Sequence, residues 1–511
     1  MNDPLLPDDR FNQELEANVR PVDWQNPVAT SPYQLLVIGA GTAGLVAAAG
    51  AAGLGARVAI VERALMGGDC LNFGCVPSKA IIRAGRAVAA VRDAERFGVH
   101  CAEGPQVDFA AVMERMRRLR AGISHHDSAK RFSELGVDVY QGSATFLRDG
   151  VVHINGPGGC ETDVVYKKAV IATGARASAP PISGLERVNY LTNETLFSLT
   201  ELPARLGVIG AGPIGAEMAQ TFARLGSKVT LYEMADRILA KEDADAVSLV
   251  QKQFDADGVQ TLTGIKDLSV SKEGSTIRIT GTRKAEPIEV VVDQLLVAVG
   301  RAPNTNGLGL ESVGVAYDKN GVTVNDFLQT TNPRIFAAGD ICSKFKFTHA
   351  ADFMARIVIQ NALFAVGPFG RRRASKLLIP WTTYTSPEVA HVGIYESEAA
   401  SAGIAIDTYT QDFSGVDRAI LDGSEGFVRV HVKKGTDKIL GATVVGENAG
   451  DLISEITMAM THRLGLSKIG STIHSYPTTA DSIRKLGDQY NRKRLTGLSK
   501  WILSRLLRWN A

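Results

Sequence analysis

Two of the five cysteines in this chain, Cys70 and Cys75, stand five residues apart in the stretch GGDCLNFGCVPSKA (67–80). A thiol pair at this spacing could be a redox couple, half of a zinc site or a static disulfide. Five residues of regular helix rise about 7.5 Å, beyond the roughly 6.8 Å that a disulfide spans between Cα atoms. A bond between the two therefore needs a distorted turn, which Gly74 beside Asn72 makes feasible. Pro77 suits the first turn of a following helix. Cys75 then lies at that helix's N-terminus, where the dipole favours thiolate. A zinc site needs further Cys or His at suitable spacing, and Cys101, Cys160 and Cys342 are isolated singles. Five scattered cysteines suit a reducing cytosol, which disfavours a static disulfide. The residues favour a redox couple, one thiol attacking and the other resolving, with no metal site.

A redox pair needs an electron source, and the flanking sequence supplies two candidate carriers. The apolar run Gln34–Ile38 feeds GAGTAG, with Gly39, Gly41 and Gly44 in the G-x-G-x-x-G pattern. An alanine-rich helix and the strand Arg57–Val61 follow, ending at Glu62. This is a complete dinucleotide-binding unit: the glycines allow a tight turn, backbone approach to a pyrophosphate and close helix packing, and the acid can bind ribose hydroxyls. The unit repeats: Leu206–Ile209 leads to GAGPIG (Gly210, Gly212, Gly215), a helix through Arg224, and Lys228–Tyr232 ending at Glu233. First glycine and acid are 23 residues apart in both copies (39 to 62, 210 to 233). Two nucleotide sites in one chain imply electron passage between two dinucleotides. Glu233 would repel a 2′-phosphate, so the second site should prefer NADH over NADPH, a preference that Arg237 could soften.

At 511 residues the chain exceeds what one core usually serves. Its net charge of +2 argues against nucleic acid as a partner. No apolar run reaches the length of a membrane span, and the polar N-terminus lacks the layout of a secretory signal. A cytoplasmic α/β protein is expected. From about Lys376 the texture changes to alternating strands (IPWTTYTSPEVAHVG, FVRVHVKK, ILGATVVG) followed by helices, which reads as an α+β domain. Residues 491–511 hold six Lys or Arg and no acid. At helical spacing Leu495, Leu498, Ile502, Leu503, Leu506, Leu507 and Trp509 share one face, with Lys500, Arg505 and Arg508 mostly opposite. Such a helix can lie on an anionic membrane or dock on the protein's own body or a partner subunit.

The pattern GGxCxNxGCVPSK beside two dinucleotide folds resembles the FAD-dependent pyridine nucleotide–disulfide oxidoreductases, which include dihydrolipoamide dehydrogenase, glutathione reductase and mercuric reductase. The resemblance runs from residue 33 to about 490. It implies two Rossmann-like domains plus a C-terminal α+β dimerisation domain in a homodimer. The expected division is a polar N-terminal arm (1–32), an FAD-binding domain in two parts (33–184 and 303–375), an NAD(P)H-binding domain (185–302), an interface domain (376–490) and a basic amphipathic tail (491–511). By resemblance Cys70 is the interchange thiol facing substrate and Cys75 the thiolate contacting the flavin. Lys79 matches the family lysine near the flavin, which can pair with Glu217. Gly142, Thr173, Gly174 and Asp340 match further FAD contacts, and Gly300 matches the nicotinamide side.

Within the family, GCVPSKAIIRA and EMAQTFARLGSKVT look most similar to mercuric reductase. Family disulfide reductases carry His-Pro-Thr-x-x-Glu near the C-terminus, where the partner subunit's histidine exchanges protons with the substrate thiol. Here the segment is IHSYPTTADS, so Tyr476 stands in that histidine's place and Asp481 replaces the glutamate. Tyrosine titrates near 10 and is a poor base at neutral pH. Mercuric reductases also place a tyrosine here, yet the vicinal cysteines that end their chains have no counterpart after Cys342, and no Cys-x-x-Cys domain precedes residue 33. His474 could supply a base instead, or be structural. The expectation is a mercuric-reductase-like transfer of electrons from NAD(P)H through FAD and the Cys70–Cys75 pair to a small-molecule acceptor. The alternatives are a dihydrolipoamide dehydrogenase-like enzyme and, further off, a redox-sensing flavoprotein with little turnover.

Overall fold

The computed structural model describes residues 5–29, 32–367 and 369–510, which fall into two compact units. The first comprises residues 1–211, 221–234 and 261–377. Its main sheet has seven strands in the order Val137–Gln141, Val58–Glu62, Tyr33–Ile38, Glu161–Ile171, Val151–Asn155 and Ser143–Arg148, with Ile335–Ala337 also on Glu161–Ile171. The pairs around Tyr33–Ile38 are parallel, with Ile38 opposite Val61 on one side and Ile171 on the other. Tyr33–Ile38 is buried at five of its six positions. Burial on both faces is what the apolar run at 35–38 dictates, and it aims the loop after Ile38 out of the sheet's carboxyl edge.

The second glycine unit has the same layout. Arg205–Ile209 pairs in parallel with Lys228–Tyr232 and with Gln294–Val297, in a four-stranded sheet that Gln260–Leu262 completes. Three antiparallel strands, Lys266–Glu273, Thr276–Arg283 and Glu286–Val292, form a separate sheet.

The stretch read as a polar arm is in part a packed helix. Arg10–Val19 is capped by Asp9, whose Oδ1 accepts from the backbone N–H groups of Phe11 and Asn12. Phe11, Leu15 and Val19 recur at four-residue steps and are buried in the main core of the unit. Arg117 Nε lies 2.5 Å from Asp9 Oδ2. Arg120, 2% exposed, donates to Asn12 Oδ1 at 2.6 Å and to the Asn72 carbonyl at 2.7 Å. A polar composition concealed three apolar anchors.

The second unit comprises residues 212–220, 235–260 and 378–511. Segments 212–220 and 235–260, read from sequence as nucleotide-binding domain, group here with the C-terminal part. Its five-stranded antiparallel sheet runs Trp381–Thr383, Glu388–Gly393, Ile439–Gly446, Phe427–Lys433, Ile406–Asp412. Helices Ala449–Thr461 and Asp481–Lys493 cover it through Ile453, Ile456, Ile483 and Leu486. The helix Gly497–Trp509 closes the chain with no buried residue.

Candidate functional site: a thiol pair at a broken helix

The turn that carries the cysteines is built by glycine. Gly67 and Gly68 have φ of +86° and +58°, a region costly for residues with a Cβ. Cys70 sits in the short helix Gly68–Asn72, which Phe73 ends by donating its N–H to Asp69 O at 2.8 Å. Gly74, at φ −130° and ψ −111°, breaks the run, and the 19-residue helix Cys75–Asp93 starts next to it. This is the distortion that the spacing demanded. Pro77 falls in the first turn, where no intrahelical donor is lost.

Cys70 and Cys75 are free thiols that hydrogen-bond each other. Cys75 Sγ also lies 3.3 Å from Thr348 Oγ1, the first residue of the helix Thr348–Ile359. The Cys75 pKa is lowered to about 6, chiefly by the hydrogen bond from Cys70, with Thr348 and the Lys79 ammonium adding to it. Its position as first residue of a long helix acts in the same sense. Cys75 is exposed and Cys70 half-buried by surface area. Protein atoms nonetheless crowd Cys75 closely enough for desolvation to oppose its charge. The Cys70 thiol moves the other way, raised first by its hydrogen bond to Cys75 and then by burial. One proton thus stays on Cys70 and the thiolate is favoured on Cys75.

Around the pair lies a polar frame that the sequence did not reveal. Asp69 accepts from Asn193 Nδ2 at 2.7 Å and from Arg301 Nη1 at 3.0 Å. Arg301 also donates to Ala175 O at 2.8 Å and stands 3.4 Å from Asp340 Oδ2. Burial raises the Asp340 pKa, and Arg301 counters it. Asn72, buried, donates to the Met66 and Gly68 carbonyls and is itself gripped by Arg120. Thr348 is 273 residues from Cys75 in the chain, and nothing local marks it. Asp69 carried the one available signal, an acid among glycines directly before a cysteine.

The first glycine loop fits a dinucleotide. Gly39 has φ +100°, and a Cβ there would lie 2.5 Å from Ala172 O. A Cβ on Gly44 would lie 1.8 Å from Gly39 O, so only glycine lets the helix start this close to the turn. Gly41 caps the helix Thr42–Gly53 with no side-chain hydrogen bond, which leaves its first N–H groups for a phosphate. Glu62 braces the loop, accepting from Ala40 N at 2.6 Å and Ala64 N at 2.8 Å. The second loop repeats this: Gly210 has φ +97°, and Glu233 accepts from Ala211 N at 2.8 Å. A Cβ on Gly212 would meet nothing within 4 Å, and Gly215 lies in the helix Pro213–Leu225. Both acids therefore shape the glycine turn as well as ending a strand, a role the spacing alone did not show.

Gly142 N–H donates to Glu62 O at 2.8 Å, which sets it beside the first acid. Thr173 Oγ1 donates to Asn304 O at 2.9 Å, and Asn304 Nδ2 returns a bond to Thr173 O at 2.8 Å. Gly174 and Gly300 have φ of +66° and +69°.

The remaining predicted residues belong to the second unit. Glu217 is buried and accepts from Tyr384 N at 2.9 Å. Tyr476 is 71% exposed and donates to Asp417 Oδ2 at 2.6 Å, a bond that raises its pKa above the ordinary value. Asp481 starts its helix in ion pairs with Arg484 at 2.7 Å and Lys485 at 3.3 Å. His474 Nε2 lies 2.8 Å from Glu455 Oε1, with its side chain 7% exposed. Among the described residues no cluster of three His, Cys, Asp or Glu is placed to hold a metal ion, and no helix is long and apolar enough to cross a membrane.

Residues 33–355 match the model of the pyridine nucleotide-disulphide oxidoreductases, and residues 379–486 match the dimerisation domain of the same family. The mercuric reductase of Streptomyces lividans is 36% identical over 459 residues, covering 89% of this chain and 96% of that protein. The dihydrolipoyl dehydrogenase of Bacillus subtilis is 32% identical over 466 residues, covering 88% and 96%. Among solved structures, the Cu(II) complex of the HOCl-induced flavoprotein disulfide reductase RclA from Escherichia coli superposes with a TM-score of 0.79 at 26% identity, covering 90% of this chain and all of the other. With two glycine loops shaped for dinucleotides and a thiol pair between broken helices, the chain belongs to the pyridine nucleotide-disulphide oxidoreductase family, enzymes that use FAD and a pyridine nucleotide.

Proposed function

We propose that this oxidoreductase delivers two electrons from NADH, by way of FAD, to the Cys70–Cys75 disulfide and onward to a thiophilic acceptor such as Hg(II). The observation that carries the reading is the setting of Cys75, which starts a 19-residue helix with its Sγ 3.3 Å from Thr348 Oγ1 and five residues after Cys70, a placement that favours thiolate on Cys75. Bound flavin supplies the two-electron chemistry between the nicotinamide and the thiols. The chain's own residues do the rest. Opening the disulfide takes up two electrons, and the dithiol then keeps one proton on Cys70 while the Cys75 thiolate is held by a helix N-terminus, the Thr348 hydroxyl and Lys79. A metal ion captured by both sulfurs displaces that proton to solvent, and passing on the two electrons reduces Hg(II) to Hg(0) as the Cys70–Cys75 disulfide re-forms, so no strong base is required. Tyr476 needs no part in that proton release: its O–H donates to Asp417, a bond that makes it a still weaker acid.

Glu233 supports NADH over NADPH. Arg237, which could have softened that preference, donates to the carbonyls of Ala240 and Glu242 at 3.1 and 2.9 Å. The dimerisation domain supports a homodimer; the family resemblance would then set Tyr476 and Asp481 against the partner's thiol pair, and five scattered cysteines accord with a cytoplasmic setting. The final helix supports contact with an anionic membrane surface: Leu498, Trp501, Leu507 and Trp509 are each at least half exposed beside Lys500, Arg505 and Arg508. Sedimentation with phosphatidylglycerol vesicles tests this contact. Equal binding by the full chain and a chain ending at Tyr490 refutes it.

A second reading, dihydrolipoamide dehydrogenase-like chemistry, is favoured by the His474–Glu455 pair, whose imidazole is oriented by a carboxylate. Anaerobic NADH oxidation with Hg(II)–thiol complexes and lipoamide offered side by side separates the two. Turnover with Hg(II) alone is expected. Turnover with lipoamide, lost in His474→Asn, would establish the second reading instead.

A further inference from the structure

Asp69 directly precedes Cys70, and both of its carboxylate oxygens are held from outside the turn. Asn193 Nδ2 donates to Oδ1 at 2.7 Å and Arg301 Nη1 donates to Oδ2 at 3.0 Å. The same Asn193 amide reaches the Phe73 carbonyl at 3.3 Å, so one side chain spans both ends of the link between the cysteines. Phe73 N–H returns to Asp69 O at 2.8 Å. A Cβ on Gly74 would stand 2.9 Å from Asp69 O and 3.0 Å from Oδ2, so the aspartate fills the space beside the break. Arg301 is itself fixed in the strand Arg301–Pro303, which pairs with Ala175–Ala177, and by its bond to Ala175 O.

We propose that Asp69 is a positioning residue for the thiol pair: locked by Asn193 and Arg301, it fixes the turn between Cys70 and Cys75 and sets one negative charge beside it. This rests on the reading that the pair is the redox centre. A fixed anion opposes a second charge on either sulfur, and its field acts on both thiols in the direction of protonation. Asp69 thereby works against Lys79 and the helix dipole, while Arg301 and Asn193 keep it from turning away.

The test is the pH dependence of iodoacetamide alkylation of the reduced, flavin-loaded protein, with the modified cysteine identified by mass spectrometry. In Asp69→Asn the Cys75 midpoint is expected to fall by about half to one pH unit, and Asp69→Glu is expected to restore most of the shift. A midpoint unmoved in Asp69→Asn overturns the electrostatic half of the proposal. Asn193→Ala keeps the charge and removes the lock. At a fixed ratio of reduced to oxidised dithiothreitol, its dithiol-to-disulfide ratio is expected to rise about threefold. An unchanged ratio overturns the positioning half, and Asn193→Ala serves if Asp69→Asn does not fold. Failure of the underlying reading shows in the unsubstituted protein, as a thiol midpoint at the ordinary value of about 8.5 and no disulfide reduction by NADH.

Discussion

Replacing Thr348 with valine removes the hydroxyl 3.3 Å from Cys75 Sγ and keeps the side-chain shape. The hydroxyl stabilises the thiolate but not the thiol, so its loss raises the Cys75 pKa. A hydrogen bond to a charged group contributes about 1.5–3 kcal/mol, and a diffuse sulfur acceptor at this distance belongs at or below the lower end. About 1.4 kcal/mol corresponds to one pKa unit. The Cys75 midpoint should therefore move from about 6 to about 7. At pH 6 the thiolate fraction would fall from about one half to about one tenth, a fivefold slower alkylation at fixed iodoacetamide. Stopped-flow alkylation of the reduced protein between pH 4 and 10 reads this directly. Since Thr348→Val also preserves the hydrogen bond from Cys70, the larger part of the shift should survive. A midpoint that stays at 6 in Thr348→Val would refute the contribution of the hydroxyl, and an unsubstituted midpoint near that of a free thiol would refute the assignment of thiolate to Cys75.

Other substitutions probe the frame. Gly44→Ala forces a Cβ to 1.8 Å from Gly39 O, whereas a Cβ on Gly41 meets only Gly68 Cα, at 3.8 Å. The first should lose flavin and stability together, by several kcal/mol. The second should leave the melting temperature of the flavin-free protein within a few degrees and lower flavin retention at 450 nm; equal behaviour of the two variants would contradict the loop geometry. Arg120→Met leaves the Asn72 carbonyl and Asn12 Oδ1 unpaired and should cost about 2–4 kcal/mol in urea denaturation. No loss would mean the arginine is dispensable to the turn. His391, buried against Thr443 and stacked on Tyr395, has its pKa pulled down by burial to about 3. The folded value lies below the unfolded one, so this contribution to stability is complete above about pH 6.5 and is lost as pH falls toward 3. Denaturation midpoints should drop between pH 6.5 and 4, with a shallower slope in His391→Gln; parallel slopes would refute the assignment.

Much of the nucleotide machinery was legible because glycine turns and buried parallel strands are local signals. Tyr33–Ile38 and Lys228–Tyr232 fall where their apolar runs and following turns placed them. A distorted turn was expected if the two cysteines bond, with Gly74 beside Asn72 making it feasible, and the helix breaks at Gly74. What escaped was long-range or disguised. Thr348 meets Cys75 only because the fold returns a distant helix to the turn. Arg301 carries no local signal of its part until its guanidinium is seen on Asp69. The N-terminal helix was hidden because its three core residues, Phe11, Leu15 and Val19, are separated by polar ones that dominate the composition. Glu62 and Glu233 were read as ribose ligands from their place after a strand, and their hydrogen bonds to Ala40 and Ala211 became visible only with the backbone in place.

The central claim is that the Cys70–Cys75 pair is a second two-electron store in series with the flavin. Anaerobic titration of the oxidised, flavin-loaded protein with NADH, followed at 450 nm and by thiol counting, tests it most directly. The account predicts uptake of about two equivalents of NADH per chain, with two new thiols, and only about one equivalent in Cys70→Ser. Uptake of a single equivalent by the unsubstituted protein, with no thiols released, would contradict it.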